Sequence, residues 1–566
     1  MTTTNDMKLS ALMDFPDDAL HVFHESTMYK VMERLKQAGV SRVYMQYYGN
    51  RDYGHFWDHK APRNLEAIET ANNIPEFNRV FVEAANAYGL EPVAVMRPQE
   101  QGIWLTWSPY HKEARENPGI PYTGGDIMIA SKFQLENPEL RIKRRTWDID
   151  PDALNKTICS IKLYKQNDIH SRIEKENIKI YVSPDNVNYV EYKGEFNLSF
   201  SKEIAKKDVI VSSFKQNYPT ETITCKDDNV EVLTLGGLEI NERYVAIEIS
   251  CDQKASEEEL FYNTPMNTIS IHEKNGNEIC ASPGHASRFL PEDIPYLDGG
   301  FHFDDGFGEN FGITLDPEDD KGYIAVSKGK DEYVHAALCV LEPKVQEYWF
   351  KWLDKAMDDG FVMIGNRLEC HSVHVDEPYA YGYNDCIKEE YYKRYGECAE
   401  KDMELSKIAK IRGDAYTALF VEGAKRVRAR WKKVYLTLNV EMLYDPIPLV
   451  RHMAYPMNVQ WQWERWLEEI QPDEINIRSY QTSPDFILND PQCKNFIKTA
   501  QKYNVPMTLE RYDYWDFAAE FEMVRDTGIF SRMTLYEIND IIHSDGKGGI
   551  IEIKPELLKQ LENLTK

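Results

Sequence analysis

The sequence lacks any uninterrupted apolar run that approaches the ~20 residues needed for a membrane-spanning helix. Its first residues, MTTTNDMKLSALMDFPDDAL, also lack a basic segment followed by an apolar stretch, which is the pattern of a secretory signal. These two absences predict a protein with no membrane partner. We expect it in the cytoplasm, or exported with a leader already removed.

Positive charge is scarce. The chain has 66 Lys and Arg against 93 Asp and Glu, which gives a formal net charge of −27. A field of this sign repels phosphate backbones. We therefore expect no nucleic-acid partner.

Paired cysteines and phosphate-binding loops are missing as well. The nine cysteines include no CxxC pair, and their odd number suits free thiols in a reducing compartment. No GxGxxG follows the first predicted strand, and GxxxxGK[ST] does not occur. The sequence gives no reason to expect a cofactor.

What the sequence does contain is an alternation of helices and strands. Hydrophobic residues make up 42% of 566 residues, enough for a large ordered domain and a smaller one. The predicted strands are 41–49, 90–98, 125–133, 361–371, 432–443, 473–481, 505–515 and 529–542, and the third is the least regular. Eight such units predict a (β/α)8 TIM barrel, and the missing glycine motifs argue against an open doubly wound sheet.

A different pattern lies between about 150 and 280. Short β-segments such as NIKIYVSPDNVNYVEY and RYVAIEIS are separated by turns, with no helical period. We predict an inserted β-sandwich domain at 150–280. Residues 1–149 and 281–566 then form the first part and the remainder of the barrel.

Polar residues finish most of the predicted barrel strands. In TIM barrels these carboxyl ends form the active site, so the residues there are candidates for chemistry. Those that we expect to bind substrate are Tyr48, Arg97, Arg367, His371, Asn439, Glu441, Arg478, Tyr480, Arg511 and Glu537.

Glu369 and Glu510 are the predicted catalytic pair. Cleavage of a glycosidic bond needs one protonated and one ionised carboxyl group. The two glutamates end strands four and seven, on either side of the barrel mouth. Glu510 has arginines nearby to keep it anionic, and Glu369 has His371 two residues on, hence on the same strand face. Glu537 is the reserve, followed by Glu441 and Asp376.

The end of strand four also offers candidates for a metal site and for a cysteine nucleophile. The His, Asp and Glu residues of 369–377 have a spacing that suits zinc or manganese. No HxH follows strand one and no second His pair ends another strand, so we assign no metal ligands. Cys370 alternates away from Glu369, which favours a buried small residue over a nucleophile.

The sequence resembles glycoside hydrolase-like barrel proteins of polysaccharide-degrading bacteria, near clan A. The similar segments include SRVYMQYYG, FVMIGNRLECHS and MTLYEIND, within about 20–150 and 285–545. The resemblance implies that Glu369 is the acid/base and Glu510 the nucleophile of a retaining enzyme. Leu368 stands where clan A commonly has Asn. The inserted strands are similar to discoidin-like carbohydrate-binding domains.

The leading hypothesis is therefore a glycoside hydrolase acting on an oligo- or polysaccharide. The many rim arginines suggest an anionic substrate, sulfated or uronic, because guanidinium groups pair with such anions in a fork. A metal-dependent barrel hydrolase and a non-catalytic carbohydrate-binding protein remain as alternatives. The oligomeric state has no signal in the sequence.

Overall fold

The structure, a computed structural model, describes most of the barrel and part of the segment within it. The described residues are 6–14, 22–47, 69–70, 72–97, 102–104, 128–130, 132–148, 151–165, 168, 170–171, 173–184, 190–205, 208–212, 220–224, 228–250, 266–282, 302–303, 308–309, 321–329, 332–368, 378–445, 458–478, 482–512, 516–538 and 541–564.

Eight parallel strands form a closed barrel, which confirms the (β/α)8 TIM barrel fold. The strands are β1 (Lys8–Met13), β2 (Val40–Gln46), β3 (Glu91–Met96), β4 (Met363–Asn366), β5 (Lys433–Asn439), β6 (Glu474–Arg478), β7 (Met507–Arg511) and β8 (Arg532–Tyr536). Each strand pairs with its neighbour in chain order. The barrel closes where β8 pairs with β1, with Arg532 opposite Lys8.

The prediction of the first and third strands was wrong. The barrel begins with Lys8–Met13, so the strands predicted as first and second are β2 and β3. The segment predicted as the third strand contributes only Met128–Ala130, which pairs antiparallel with Gly102–Trp104 outside the barrel. The two errors cancel in the count. Consequently the strands predicted as four and seven are indeed the fourth and seventh of the barrel.

Helices connect most of the strands. They are α1 (Glu25–Gln37), α2 (Phe77–Ala87), α3 (Pro343–Asp358), α4 (Asp385–Tyr395), α5 (Leu405–Ala429), α6 (Trp463–Arg465, continued by the π-helix Trp466–Ile470), α7 (Pro484–Asn489), α8 (Pro491–Lys502), α9 (Phe517–Thr527) and α10 (Pro555–Leu564). Proline opens α3, α7, α8 and α10, where its missing N–H has no helical partner to lose. Short helices also occur at Lys132–Glu136 and Pro151–Asn155.

Two larger antiparallel sheets lie between β3 and β4 in the chain. One has the order Asn197–Ala205, Asp228–Ile240, Ile158–Lys165, Met266–His272, Glu278–Ser282, and the other Lys321–Ser327, Tyr244–Ser250, Ile178–Ser183, Val190–Glu191. Buried Ile, Leu and Val residues from both sheets share one apolar cluster. These sheets are compatible with the predicted inserted domain. The strand Lys321–Ser327 belongs to one of these sheets although it lies after residue 280, so the predicted domain boundary at 280 stays a prediction. The discoidin-like character of the domain stays a prediction as well.

Side-chain alternation separates two cores in the barrel. Outward residues such as Leu509 and Leu535 join the large apolar core that also contains the buried faces of the helices. Inward residues such as Tyr44, Tyr435 and Tyr536 form a smaller cluster inside the barrel. Gly365 lets Tyr435 point inward, because a Cβ on Gly365 would overlap the tyrosine ring. The polar residues next in register above this inner cluster form the candidate site.

Candidate active site at the barrel mouth

Glu510 is buried in a cluster of cations at the end of β7, with only 1% of its surface exposed. Its Oε1 lies 2.9 Å from Arg478 Nε and 3.5 Å from Arg367 Nη2. Asn476 Nδ2 donates to Glu510 Oε2 over 3.3 Å, and the Asn476 amide is oriented by a 3.0 Å bond from the Thr508 hydroxyl. Two guanidinium groups and one amide thus surround the Glu510 carboxyl group, a group capable of nucleophilic or basic chemistry.

A second buried carboxylate, Asp14, follows β1. Arg97 Nη2 donates to Asp14 Oδ2 over 3.0 Å, and the Tyr536 hydroxyl donates to the same oxygen over 2.8 Å. Asp14 and Arg97 are both buried. Asp14 was not predicted as a site residue because β1 was not predicted as a strand. Residues 8–13, KLSALM, are mostly apolar, and Asp14 follows them directly. A polar residue after an apolar strand is the same pattern that identified candidates at the other strand ends.

Two tyrosine rings join the carboxylate clusters. The Tyr512 and Tyr536 centroids are 4.5 Å apart at 68°, an edge-to-face arrangement. The guanidinium carbons of Arg367 and Arg478 lie 4.4 and 4.5 Å from the Tyr536 centroid. Arg478 also donates to the Tyr512 hydroxyl. Burial raises the pKa of Tyr536 well above its usual value, so this hydroxyl stays protonated and donates to Asp14.

The structure brings Arg97, Arg367, Arg478 and Glu510 to the inner face as expected, but it places Arg511 elsewhere. Arg511 alternates to the outer face, where Nε and Nη2 each donate to a Glu520 carboxylate oxygen of α9 over 2.8 Å. A further bond goes to the Thr482 carbonyl. We therefore do not retain Arg511 in the proposed substrate site. Its pair with Glu520 anchors α9 to the barrel wall.

The remaining residues that were predicted to bind substrate make no described contact with Glu510. Asn439 is buried at the end of β5, and its register partner on β6 is Arg478. Glu537 is half-buried after β8, with a left-handed backbone at φ 60°. Glu369, His371, Tyr48 and Tyr480 lie outside the described residues, so their places at the mouth remain predictions.

Gln46, a polar residue at the end of β2, also lies at the mouth of the barrel. It shares its strand face with Tyr44 of the inner cluster. Its amide is buried, and neither Nε2 nor Oε1 makes a hydrogen bond to a described residue. A buried amide without bonds costs free energy, and a substrate hydroxyl can offset that cost. Gln46 is therefore a candidate substrate contact.

Glu441 lies in the short helical turn Val440–Leu443 after β5. Burial raises its pKa to about 7. The turn that carries Glu441 packs against α8. A carboxyl group of raised pKa can serve as a proton donor, but the structure gives Glu441 no contact with the Glu510 cluster.

Glu441 should make stability depend on pH. Its folded pKa of about 7 exceeds the ordinary value of 4.5, so the folded state holds the proton more tightly. The associated stability is full below about pH 4.5 and is lost as pH rises to about 7. Glu441→Gln should match the wild type at pH 4.5 and exceed its free energy of unfolding at pH 8 by about 2–3 kcal/mol. Urea unfolding at both pH values measures this difference, and a constant difference between them contradicts it.

Two kinds of feature are absent from the described residues. Among them, no three His, Cys, Asp or Glu side chains come close enough together to hold a metal ion. No helix in the same part of the chain has the length and apolar character to cross a bilayer.

Comparisons with known proteins add little. No known family model matches the sequence, and no curated protein is significantly similar to it. The β-amylase catalytic domain from Paenibacillus polymyxa shares 8% identity, with 100% of this chain and 99% of that chain covered and a TM-score of 0.38. A 2-naphthoyl-CoA reductase complexed with 2-naphthoyl-CoA also shares 8% identity, with 94% of this chain but 48% of that chain covered and a TM-score of 0.32. At such TM-scores neither likeness carries an argument.

Proposed function

We propose that this protein is a glycoside hydrolase that cleaves an oligo- or polysaccharide by a retaining mechanism. The observation that supports this most is the buried Glu510 carboxylate, which lies at the end of the seventh strand against Arg367 and Arg478. Catalytic groups of TIM barrels occupy this position. Tyrosine rings next to the carboxylate suit a sugar substrate, which packs on aromatic surfaces.

In the proposed reaction, Glu510 attacks the anomeric carbon and forms a glycosyl ester while the bond to the leaving oxygen breaks. Glu369 gives its proton to that oxygen, then takes a proton from the water that hydrolyses the ester. Arg367 and Arg478 position the Glu510 carboxyl group for the attack. The mechanism requires the two carboxyl groups at about 5–5.5 Å, whereas about 6.5–9.5 Å indicates inversion with Glu510 as the base.

The proposed substrate is anionic, sulfated or uronic. Three arginines reach the inner face of the mouth, and guanidinium groups bind such anions in a fork. A panel of neutral, uronic and sulfated oligosaccharides, assayed for new reducing ends, tests both function and class. Release from the charged members alone is the expected result. Release from neutral members alone contradicts the anionic class, and no release from any member contradicts the hydrolase.

A carbohydrate-binding barrel without turnover is the second candidate. The observation in its favour is that Glu510 is enclosed by two arginines and an amide, an arrangement that also suits a purely structural ion cluster. Calorimetric titration with the same panel distinguishes the two. Binding without reducing-end release supports this candidate. A metal-dependent hydrolase is separated from both by metal analysis of the purified protein and by assay in chelator.

A further inference from the structure

Two cysteine thiols lie close together outside the barrel mouth. Cys339 follows the strand Tyr333–Leu338, and Cys386 is the second residue of α4. Their Sγ atoms are 3.9 Å apart, although 47 positions separate them in the chain. Cys339 is 5% exposed, while Cys386 is half-buried. A small disulfide from solution can therefore reach Cys386 more easily than Cys339.

The surroundings keep the two sulfur atoms near each other. Ile387, Tyr391 and Ile408 belong to the apolar cluster that contains Cys339 and packs against Cys386. Neighbours of this kind hold the backbone on both sides in place. The approach from 3.9 Å to the ~2.05 Å of a disulfide then needs side-chain rotation and small backbone shifts.

Of the two thiols, Cys339 is the one whose thiolate form is favoured. The Arg412 side chain of α5 is buried, and its Nη1 donates to the Asn458 carbonyl over 3.1 Å. The hydrogen bond with Cys386 lowers the pKa of Cys339, against the opposing effect of burial, and the Arg412 charge acts in the lowering direction. Thiolate is the form that attacks a disulfide.

We propose that Cys339 and Cys386 form a thiol–disulfide modification site whose oxidant is a small soluble disulfide. Cys386, the more exposed of the two thiols, loses its proton to solvent, and its sulfur attacks one sulfur of that disulfide, whose S–S bond breaks and releases one thiol. The hydrogen bond with Cys339 and burial raise the pKa of Cys386, so this first attack is the slow step. The Cys339 thiolate then attacks the Cys386 sulfur of the mixed disulfide and releases the second thiol. The protein loses two protons and two electrons, and the small disulfide is reduced to two thiols.

The test uses the full chain and glutathione disulfide. Folded protein is incubated with mixtures of oxidised and reduced glutathione, then free thiols are counted after denaturation. We expect a loss of two of the nine thiols and their return with dithiothreitol. Tryptic mapping should join the peptide of Cys339 to that of Cys386. Fragment spectra distinguish Cys386 from Cys370, which shares its tryptic peptide.

Matched variants assign the site. Cys398→Ser changes a third thiol beside the same cluster, and Cys159→Ser changes one in another sheet, so both should still lose two thiols. Cys386→Ser and Cys386→Ala should form no internal disulfide, with circular dichroism confirming their fold. The proposal is overturned if the folded wild type forms no internal disulfide, or if the bond maps to Cys370 or Cys398. This outcome is independent of hydrolase activity.

Discussion

Glu510→Gln should lower kcat on any substrate found in the glycan panel by a factor on the order of 10³ or more. The amide keeps the volume of the side chain but removes the oxygen nucleophile that, in the proposed reaction, attacks the anomeric carbon. It also leaves Arg367 and Arg478 without their shared carboxylate, which should cost about 3–5 kcal/mol in free energy of unfolding. Initial rates and urea unfolding of the same preparation measure the two effects.

Glu520→Gln is the matched control for this variant. It breaks a bidentate pair with the buried Arg511, one position along the same strand, but on the outer face of the barrel. We expect lower stability and a kcat within about twofold of the wild type, since the mouth is untouched. Near-normal kcat in Glu510→Gln, or an equal loss in Glu520→Gln, would contradict the catalytic role of Glu510.

Glu474→Gln should be the most destabilising change away from the mouth. Glu474 is buried at the amino-terminal end of the barrel, where Arg42 Nη1 donates to it over 2.6 Å and the Tyr44 hydroxyl over 2.7 Å. Removal of its charge leaves Arg42 buried with Glu91 as its remaining carboxylate, 2.8 Å away. We expect a loss of about 3–5 kcal/mol in free energy of unfolding. Because the proposed active site lies at the opposite end of the barrel, kcat should stay within about twofold.

The control for this prediction is a pair of similar length at the surface. Arg34 Nε lies 2.7 Å from Glu552, whose side chain is 35% exposed. Exposed pairs contribute little, so Glu552→Gln should cost less than about 1 kcal/mol. Equal losses for the two variants would show that burial does not determine the strength of these pairs.

The sequence predicted the fold because helix and strand periods are local properties. The errors arose where that signal is short. Lys8–Met13 is a strand of only six residues, so it gives a short signal in the sequence. Met128–Ala130 has the same apolar character as a barrel strand, but its antiparallel partner lies in another part of the chain. Neither segment can be assigned without its long-range pairing.

The site was predicted in part for the same reason. Strand-end position identified Glu510, Arg367 and Arg478, but their contacts join residues more than 30 positions apart in sequence. Adjacent side chains on a strand point to opposite faces, so an inward Glu510 requires an outward Arg511. This rule alone excludes Arg511 from the site. Asp14 is found by the same strand-end rule once β1 is recognised.

Covalent trapping shows directly whether Glu510 is the nucleophile of a retaining glycoside hydrolase. A 2-deoxy-2-fluoro glycoside of the sugar identified by the panel, with an activated leaving group such as dinitrophenolate, should slow both steps. The leaving group keeps formation of the glycosyl ester faster than its hydrolysis, so the ester accumulates. Intact-mass measurement should then show one added glycosyl group per chain, and peptide mapping should place it on Glu510. We expect this label in the wild type and its loss in Glu510→Gln. A label on another carboxylate, or an active enzyme that inverts its product and takes no label, would contradict it.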